Sequence, residues 1–399
     1  MADTPAPASP AAGSASGTPA NGATSPQARG LEGVIALESA ISFIDGAAGE
    51  LLYRGYDIDD LARNATFEEV AYLLWKGDLP TRAELEALEA ELRAERPVHS
   101  DLLDHLRHHT PANVDPMAAL RTAVSMLGHY DDEAEDMSPE ANYRKSVRLT
   151  AKLPTLVAAF DRIRKGKEPV APKQEGSTAF DFLYMLNGEE PGPAAEKIMD
   201  AALVLHAEHG LNASTFAARV IGATLSDIYS AVTGAMGALK GPLHGGANIR
   251  VMEMLLEIDA EGTPVDEYVQ RKLDAKEKIM GLGHRVYKTL DPRATILREL
   301  LRGLSEEKGE TKWMDMSDAI REKVKREKGL EANVDFYSAS VYYLLGIEKD
   351  LYTPIFAISR MTGWTAHLLE QWADNRLIRP RAGYSGPRGL AVTPIDERG

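Results

Sequence analysis

The sequence predicts a mainly α fold, and three observations carry that prediction. Apolar residues recur at helical spacing through most of the chain from Asp57 onward. Strand-like runs are confined to one short stretch, ISFIDGAAGELLYRGYDI. No alternation of strands with helices follows it, which removes a parallel α/β sheet. With 399 residues, 44% of them hydrophobic, and no long apolar run, the chain has enough apolar side chains for one large core or two unequal ones.

Taken in order, residues 1–30 are almost entirely Ala, Pro, Ser, Thr and Gly, and they cannot bury enough apolar surface to offset ordering entropy. They read as a disordered tail. The alternative, a targeting segment, lacks a basic start, an apolar stretch and more than one Arg. Order is expected from Leu31, with a β-hairpin turning between Gly46 and Gly49. DIDDLARNATFEEVAYLLWKGDLP then reads as helical, with Gly77 and Pro80 as stop signals. TRAELEALEAELRAERP reads as an amphipathic helix capped by Thr81 with Glu84 three residues later. Ala218, Gly222, Ser226, Ser230, Gly234 and Ala238 recur every four residues as a ridge of small side chains. Ser226-Asp227 looks like a fresh N-cap, so two successive helices are expected there. The ridge suits either a buried pair within one subunit or a subunit interface. The charged stretch SEEKGETKWMDMSDAIREKVKREKG reads as a solvated helix without chemistry.

Composition excludes several classes. The absence of Cys removes disulfides, thiolate metal sites and cysteine nucleophiles, and it fits a cytoplasmic protein. A formal charge of −15 argues against a nucleic-acid partner, so any anionic ligand needs locally concentrated basic residues.

The chemistry lies in dispersed motifs. HAEHGLNAST carries His206 and His209, open to three readings: core histidine, polar ligand contact or, without a matching Glu or Cys partner, an improbable metal site. His105, His108 and His109 read as a solvated face. In GPLHGGAN, glycines permit a tight turn and His244 falls near a helix start, where the dipole would oppose protonation; it serves either as a cap or as a neutral hydrogen-bond donor. GLGHRVYKTLDPRA brings His284 together with Arg285, Lys288 and Arg293. Its Gly-x-Gly lacks the surroundings of a dinucleotide fingerprint, leaving a basic loop and an Arg able to clamp a carboxylate. Asp335, in NVDFYS, is either an N-cap or a base. Arg360, Arg379 and Arg381 add late guanidinium groups suited to a small dicarboxylate. Two imidazoles and a carboxylate suit the formation and trapping of an enolate.

These motifs, in this order and together with LLYRGYDI, RLTAKLPTLVA, SDIYSAV and IRPR, closely resemble the citrate synthase family from about Leu31 to Tyr384. The resemblance is to the shorter bacterial and archaeal members. It implies a two-domain helical fold: a large domain of residues 31–248 and 346–399, and an inserted smaller domain of residues 249–345. It also implies condensation of acetyl-CoA with oxaloacetate by a homodimer, with no metal and no cofactor beyond the thioester substrate. Asp335 would take the methyl proton, His244 would hydrogen-bond the thioester oxygen and His284 would polarise the oxaloacetate carbonyl. His209, Arg293 and Arg360 would bind oxaloacetate, with Arg379 from the second subunit. Gly281, Leu282, Gly283, Arg285 and Lys288 would meet CoA, although Lys288 stands where some relatives have Arg. The near alternative is 2-methylcitrate synthase, which uses propionyl-CoA; the distant one is a silent CoA-binding scaffold.

Overall fold

The computed structural model describes residues 29–284 and 286–398. The expected tail lies outside the described residues up to position 28, as does Arg285. Before Ser39 the described residues contain a 3-10 turn at Arg29–Leu31; Ser39 onward forms one compact unit.

That unit opens with the expected hairpin, β1 (Ser42–Asp45) and β2 (Glu50–Tyr53), antiparallel with Ser42 opposite Tyr53. A third short strand, β3 (Tyr56–Asp57), extends it and escaped the sequence reading. Sixteen α-helices follow among the described residues: α1 (Ile58–Asn64), α2 (Phe67–Lys76), α3 (Arg82–Glu95), α4 (Ser100–His108), α5 (Pro116–Leu127), α6 (Pro139–Arg164), α7 (Thr178–Asn187), α8 (Pro193–His206), α9 (Ala213–Gly222), α10 (Ile228–Leu239), α11 (Ala247–Glu261), α12 (Val265–Asp274), α13 (Pro292–Lys308), α14 (Lys312–Lys328), α15 (Val334–Leu344) and α16 (Tyr352–Ala373).

Local chemistry sets the boundaries. Thr66 with Glu69 and Thr81 with Glu84 form complete capping boxes at α2 and α3, and Gly77 closes α2 at a φ of 99°. The small-residue ridge is broken where Asp227 caps α10, as expected. Its glycines are used within the chain. A Cβ on Gly234 would fall 2.2 Å from Ile221 of α9, and one on Gly222 would fall 2.5 Å from Leu368 of α16. Helix α16 is buried along nearly its whole length against α2, α6, α8, α9 and α10, and it is the axis of the core. Helices α11 to α15 pack on one another. Helix α14 corrects one expectation. It is amphipathic rather than solvated all round, burying Trp313, Met314, Ile320 and Val324. The α4 histidines follow the reading more closely, with His108 and His109 exposed and His105 half-buried.

The hairpin also bears on the site. The turn at Gly46 lies against the backbone that follows His284: Lys288 N donates to Gly46 O at 2.7 Å, and a Cβ on Gly46 would sit 2.2 Å from Val286 O. A backbone carbonyl cannot swing aside as a side chain can. Gly46→Ala is therefore expected to destabilise the fold by about 1–3 kcal/mol, measurable by denaturant unfolding, while Gly55→Ala, facing open space, serves as the turn-strain control.

Candidate active site

Four segments converge. The first follows α8, where His206 is fully buried and its Nδ1–H donates to Ala202 O at 2.8 Å. Of the readings open for His206, the structure supports the core histidine. Arg360 of α16 is 1% exposed, and its Nε donates to His206 O at 2.8 Å. His209, three residues on, is half-buried with Nε2 3.2 Å from the Tyr287 hydroxyl, and its ring centroid lies 5.5 Å from that of His284. Burial, followed by the charges of Arg293 and Arg360, holds His209 well below the usual imidazole range.

The second segment is the turn before α11. Gly245 is obligatory there, because a Cβ would lie 2.4 Å from Leu239 O. The half-buried His244 presents Nε2 to Ser214, whose backbone N–H points at it from 3.3 Å and whose Oγ lies 2.8 Å away. Nε2 is thus the acceptor, and assignment from this network puts the ring hydrogen on Nδ1, which has no protein partner among the described residues. Its pKa falls to about 4 through burial and then the Arg360 charge. Burial and a nearby cation therefore add to the helix start as causes that keep the ring neutral.

The third segment, residues 281–293, carries His284. Val286 N and Tyr287 N both donate to His284 Nδ1, at 2.9 and 3.2 Å, so the neutral ring bears its hydrogen on Nε2. Burial, then the Arg293 charge, takes its pKa to about 4. Arg293 is 2% exposed and already clamped: Nε and NH2 donate to Asp291 at 3.0 and 2.8 Å. The sequence reading treated Asp291 as part of the motif and missed this counter-ion role.

The fourth segment holds Asp335. The cap of α15 is Asn333, whose side chain accepts from Asp335 N at 3.1 Å, so the N-cap reading of Asp335 is corrected and its carboxyl is free of capping. Burial raises its pKa to about 6, against the pull of Arg293. The third and fourth segments are zipped together. Gly283 N donates to Glu331 O at 2.7 Å, Asn333 N to Gly281 O at 3.0 Å, and Asn333 Nδ2 to Gly283 O at 3.0 Å. The loops bearing His284 and Asp335 are therefore one structural piece. Nothing in the sequence periodicity signalled this pairing, since it spans about fifty residues without strand pattern.

A cavity of about 630 Å³ reaches His244 and Asn333, with Gly281, Leu282 and Gly283 along its wall. Arg250, Lys276, Lys278 and Lys328 also line it, none of them singled out by sequence. Lys288 is exposed and is not among the residues lining this cavity, and its backbone N–H is tied to the hairpin turn. The Gly283 amide is not free for a phosphate because Glu331 O already takes it. Arg379, like Arg381, is exposed in the irregular segment after α16 and is not among the groups brought together in this chain. No cluster suited to a metal ion occurs among the described residues. A second cavity, about 590 Å³ beside Tyr229, is lined by charges already paired with one another, Arg148 with Asp131 and Glu133, and Lys152 with Glu95.

The arrangement places two neutral imidazoles, each with a fixed N–H, and a carboxyl of raised pKa in the field of two buried guanidinium groups. Comparison with known proteins agrees. The family profile described as Citrate synthase, C-terminal domain matches residues 30–381. The protein called Citrate synthase 2 of Bacillus subtilis (strain 168) is 58% identical over 93% of this chain and 99% of its own. The citrate synthase of Haloferax volcanii is 55% identical over 93% of this chain and 98% of its own. Proteins called 2-methylcitrate synthase are among the further relatives. A solved ternary complex of the Thermoplasma acidophilum citrate synthase with carboxymethyl coenzyme A and oxaloacetate superposes with a TM-score of 0.87 at 33% identity, covering 93% of this chain and 99% of that one. On its sequence and its fold alike, the chain belongs to the citrate synthase family.

Proposed function

We propose that the protein condenses acetyl-CoA with oxaloacetate and water, giving citrate and CoA. The observation that carries this is the pair of fixed tautomers: backbone amides occupy His244 Nε2 and His284 Nδ1, leaving one N–H on each ring to meet a substrate oxygen. A free carboxylate is far too weak a base for an α-proton of a thioester, so the enolate must be stabilised where it forms. Asp335 takes the methyl proton while His244 Nδ1–H donates to the thioester oxygen. The enolate carbon attacks the oxaloacetate ketone, whose oxygen receives the hydrogen bond or proton of His284 Nε2. Water then cleaves citryl-CoA.

His209, Arg293 and Arg360 bind oxaloacetate. Arg379 reaches it from a second subunit in a homodimer, a reading supported by its exposure here and by the bare apolar residues Leu377, Leu390 and Val392 of the same C-terminal segment. Gly281, Leu282 and Gly283 wall the CoA cavity through their backbone path, and Arg250, Lys276, Lys278 and Lys328 supply cations for its phosphates; Arg285 keeps the role the family resemblance gave it. Residues 249–345 form the smaller domain that closes on the larger to exclude water. No described helix is long and apolar enough to cross a membrane, and the cysteine-free composition supports a cytoplasmic location. Propionyl-CoA is the rival acyl donor, because one methylene in an apolar pocket is worth only about 1–3 kcal/mol.

Two kinetic measurements test this reading. Free thiol should be released from acetyl-CoA and oxaloacetate faster than from propionyl-CoA; the reverse order assigns the 2-methylcitrate reaction, and no release from either rejects catalysis. Asp335→Asn should retain oxaloacetate binding but lose about 10²–10⁴ in kcat, and normal turnover would remove the base.

The pH dependence follows from the Asp335 pKa of about 6 and the two imidazoles near 4. The base works ionised, so kcat/KM should fall about tenfold between pH 7 and pH 5. Stability runs the other way. The carboxyl holds its proton more tightly folded than unfolded, so its ionisation weakens the fold above pH 6 and not below 4. Asp335→Asn should therefore be more stable than the parent at pH 8, by about 1–2 kcal/mol allowing for partial exposure, with the gap closing at pH 4; a constant gap would contradict the raised pKa.

A further inference from the structure

His209 sits in the irregular stretch between α8 and α9, and the residues on both sides of it are tied to the N-terminal hairpin. Before it, the Tyr53 hydroxyl of β2 donates to Glu208 O at 2.7 Å and accepts from Glu208 N at 3.2 Å, so one phenol satisfies both backbone groups. After it, Gly210 N donates to the Ser42 hydroxyl of β1 at 3.1 Å. The single hydrogen of Ser42 goes to Glu208 Oε1 at 2.9 Å, because a carboxylate only accepts and the Gly210 amide only donates. Glu208 stays ionised: against its burial, His367 and Arg360 hold its pKa below the usual carboxylate range. The same oxygen takes the Nε2–H of His367 at 3.0 Å, since Arg219, which can only donate, points at His367 Nδ1 from 3.1 Å. Ser42 therefore bridges the residue before His209 to the residue after it. Gly210 has a φ of 59°, and a Cβ there would meet Ile44 Cδ1 of the same strand at 3.3 Å.

The far end of the hairpin reaches the other histidine loop. Lys288 N donates to Gly46 O at 2.7 Å, and a Cβ on Gly49 would fall 2.8 Å from Thr289 Cγ2, so the turn packs on the backbone just after His284. Between these two anchors, His209 Nε2 lies 3.2 Å from the Tyr287 hydroxyl. One hairpin thus holds both loops at a fixed separation.

We propose that Ser42 is a positioning residue for His209: its hydroxyl, bridging Glu208 Oε1 and the Gly210 amide, holds the imidazole in the register that faces His284. The proposal rests on the reading of His209 as an oxaloacetate ligand. Ser42 touches no substrate in this account. Without its oxygen the Gly210 amide loses that acceptor and Glu208 Oε1 loses one of its two donors, so the loop loosens on both sides of His209. Arg293 and Arg360 keep their own partners, Asp291 and the His206 carbonyl.

Ser42→Ala in the full-length protein removes the bridge. Calorimetric titration should show the Kd for oxaloacetate rising about three- to tenfold, the worth of one hydrogen bond, while KM for acetyl-CoA at saturating oxaloacetate stays within about twofold. Ser42→Thr, which restores the hydroxyl, should bind as the parent does. In a His209→Ala background Ser42→Ala should weaken oxaloacetate binding no further, as residues acting in series are non-additive. Unchanged oxaloacetate affinity in Ser42→Ala, an equal loss for both substrates, or losses that simply add overturn the proposal. Should Ser42→Ala fail to fold, Ser42→Cys, close in size and only a weak hydrogen-bonding group, decides in its place. The two readings fail separately: a His209→Ala variant that binds oxaloacetate as tightly as the parent removes the ligand, whereas carbon-13 spectra of the labelled His209 ring speak to Ser42 whatever His209 contacts. That ring signal should shift or broaden in Ser42→Ala, and a signal left unmoved would sink the positioning role by itself.

Discussion

Two guanidinium groups buried beside each other's fields govern this site. Arg293 and Arg360 are 2% and 1% exposed, and a cation taken from water costs several kcal/mol unless something answers it. Asp291 answers Arg293 with a two-pronged bridge. Arg360 has the His206 carbonyl on Nε and the field of Glu208, itself fully buried and held by Ser42 and His367. These buried charges are thus close to electrically balanced. What remains of the two positive fields lowers the pKa of His209, His244 and His284 in addition to their burial, and restrains the rise at Asp335. The charges suited to gripping a dicarboxylate also set the protonation states of the groups that would act on it.

Proton state alone does not make a donor; direction does. Each imidazole has one nitrogen saturated by backbone amides, at Ser214 for His244 and at Val286 and Tyr287 for His284. Backbone amides cannot titrate or rotate away, so the His284 tautomer is fixed by the fold itself, while at His244 the Ser214 amide is joined by the Ser214 hydroxyl, 2.8 Å from the same nitrogen. A neutral imidazole, whose cation loses its proton already near pH 4, suits a developing oxyanion better than a cation that would surrender its proton early. The price is paid in glycine: Gly245 and Gly281 stand where a Cβ would collide within 2.4 and 2.6 Å.

Much of this was legible in the sequence because it is local. Capping boxes, the α9–α10 break and the glycine turn at His244 all follow from residues within a few positions of one another. The side chains assigned chemistry were chosen through motif order. What was missed is long-range or electrostatic. The β3 strand is two residues long, too short for periodicity to show. The basic lining from Arg250, Lys276, Lys278 and Lys328 comes from separate segments, each looking like ordinary surface charge. Asp291 stood in the sequence only as part of the Asp-Pro-Arg motif; that it caps α13, accepting from Arg293 N at 3.1 Å, and also neutralises the Arg293 side chain depends on how the loop folds back.

The zipper between residues 281–283 and 331–333 explains why those distant stretches behave as one device. His284 begins where the first strand of the zipper ends, and Asp335 lies two residues beyond the second, so any shift of one loop carries the other with it. Asp291 adds a fourth tie: Val334 N donates at 3.1 Å to the same carboxylate that clamps Arg293. An anion drawing Arg293 toward itself would therefore pull on the start of α15 and hence on Asp335. On the proposed roles, the geometry at Asp335 would follow whatever anion Arg293 binds, through that single shared carboxylate.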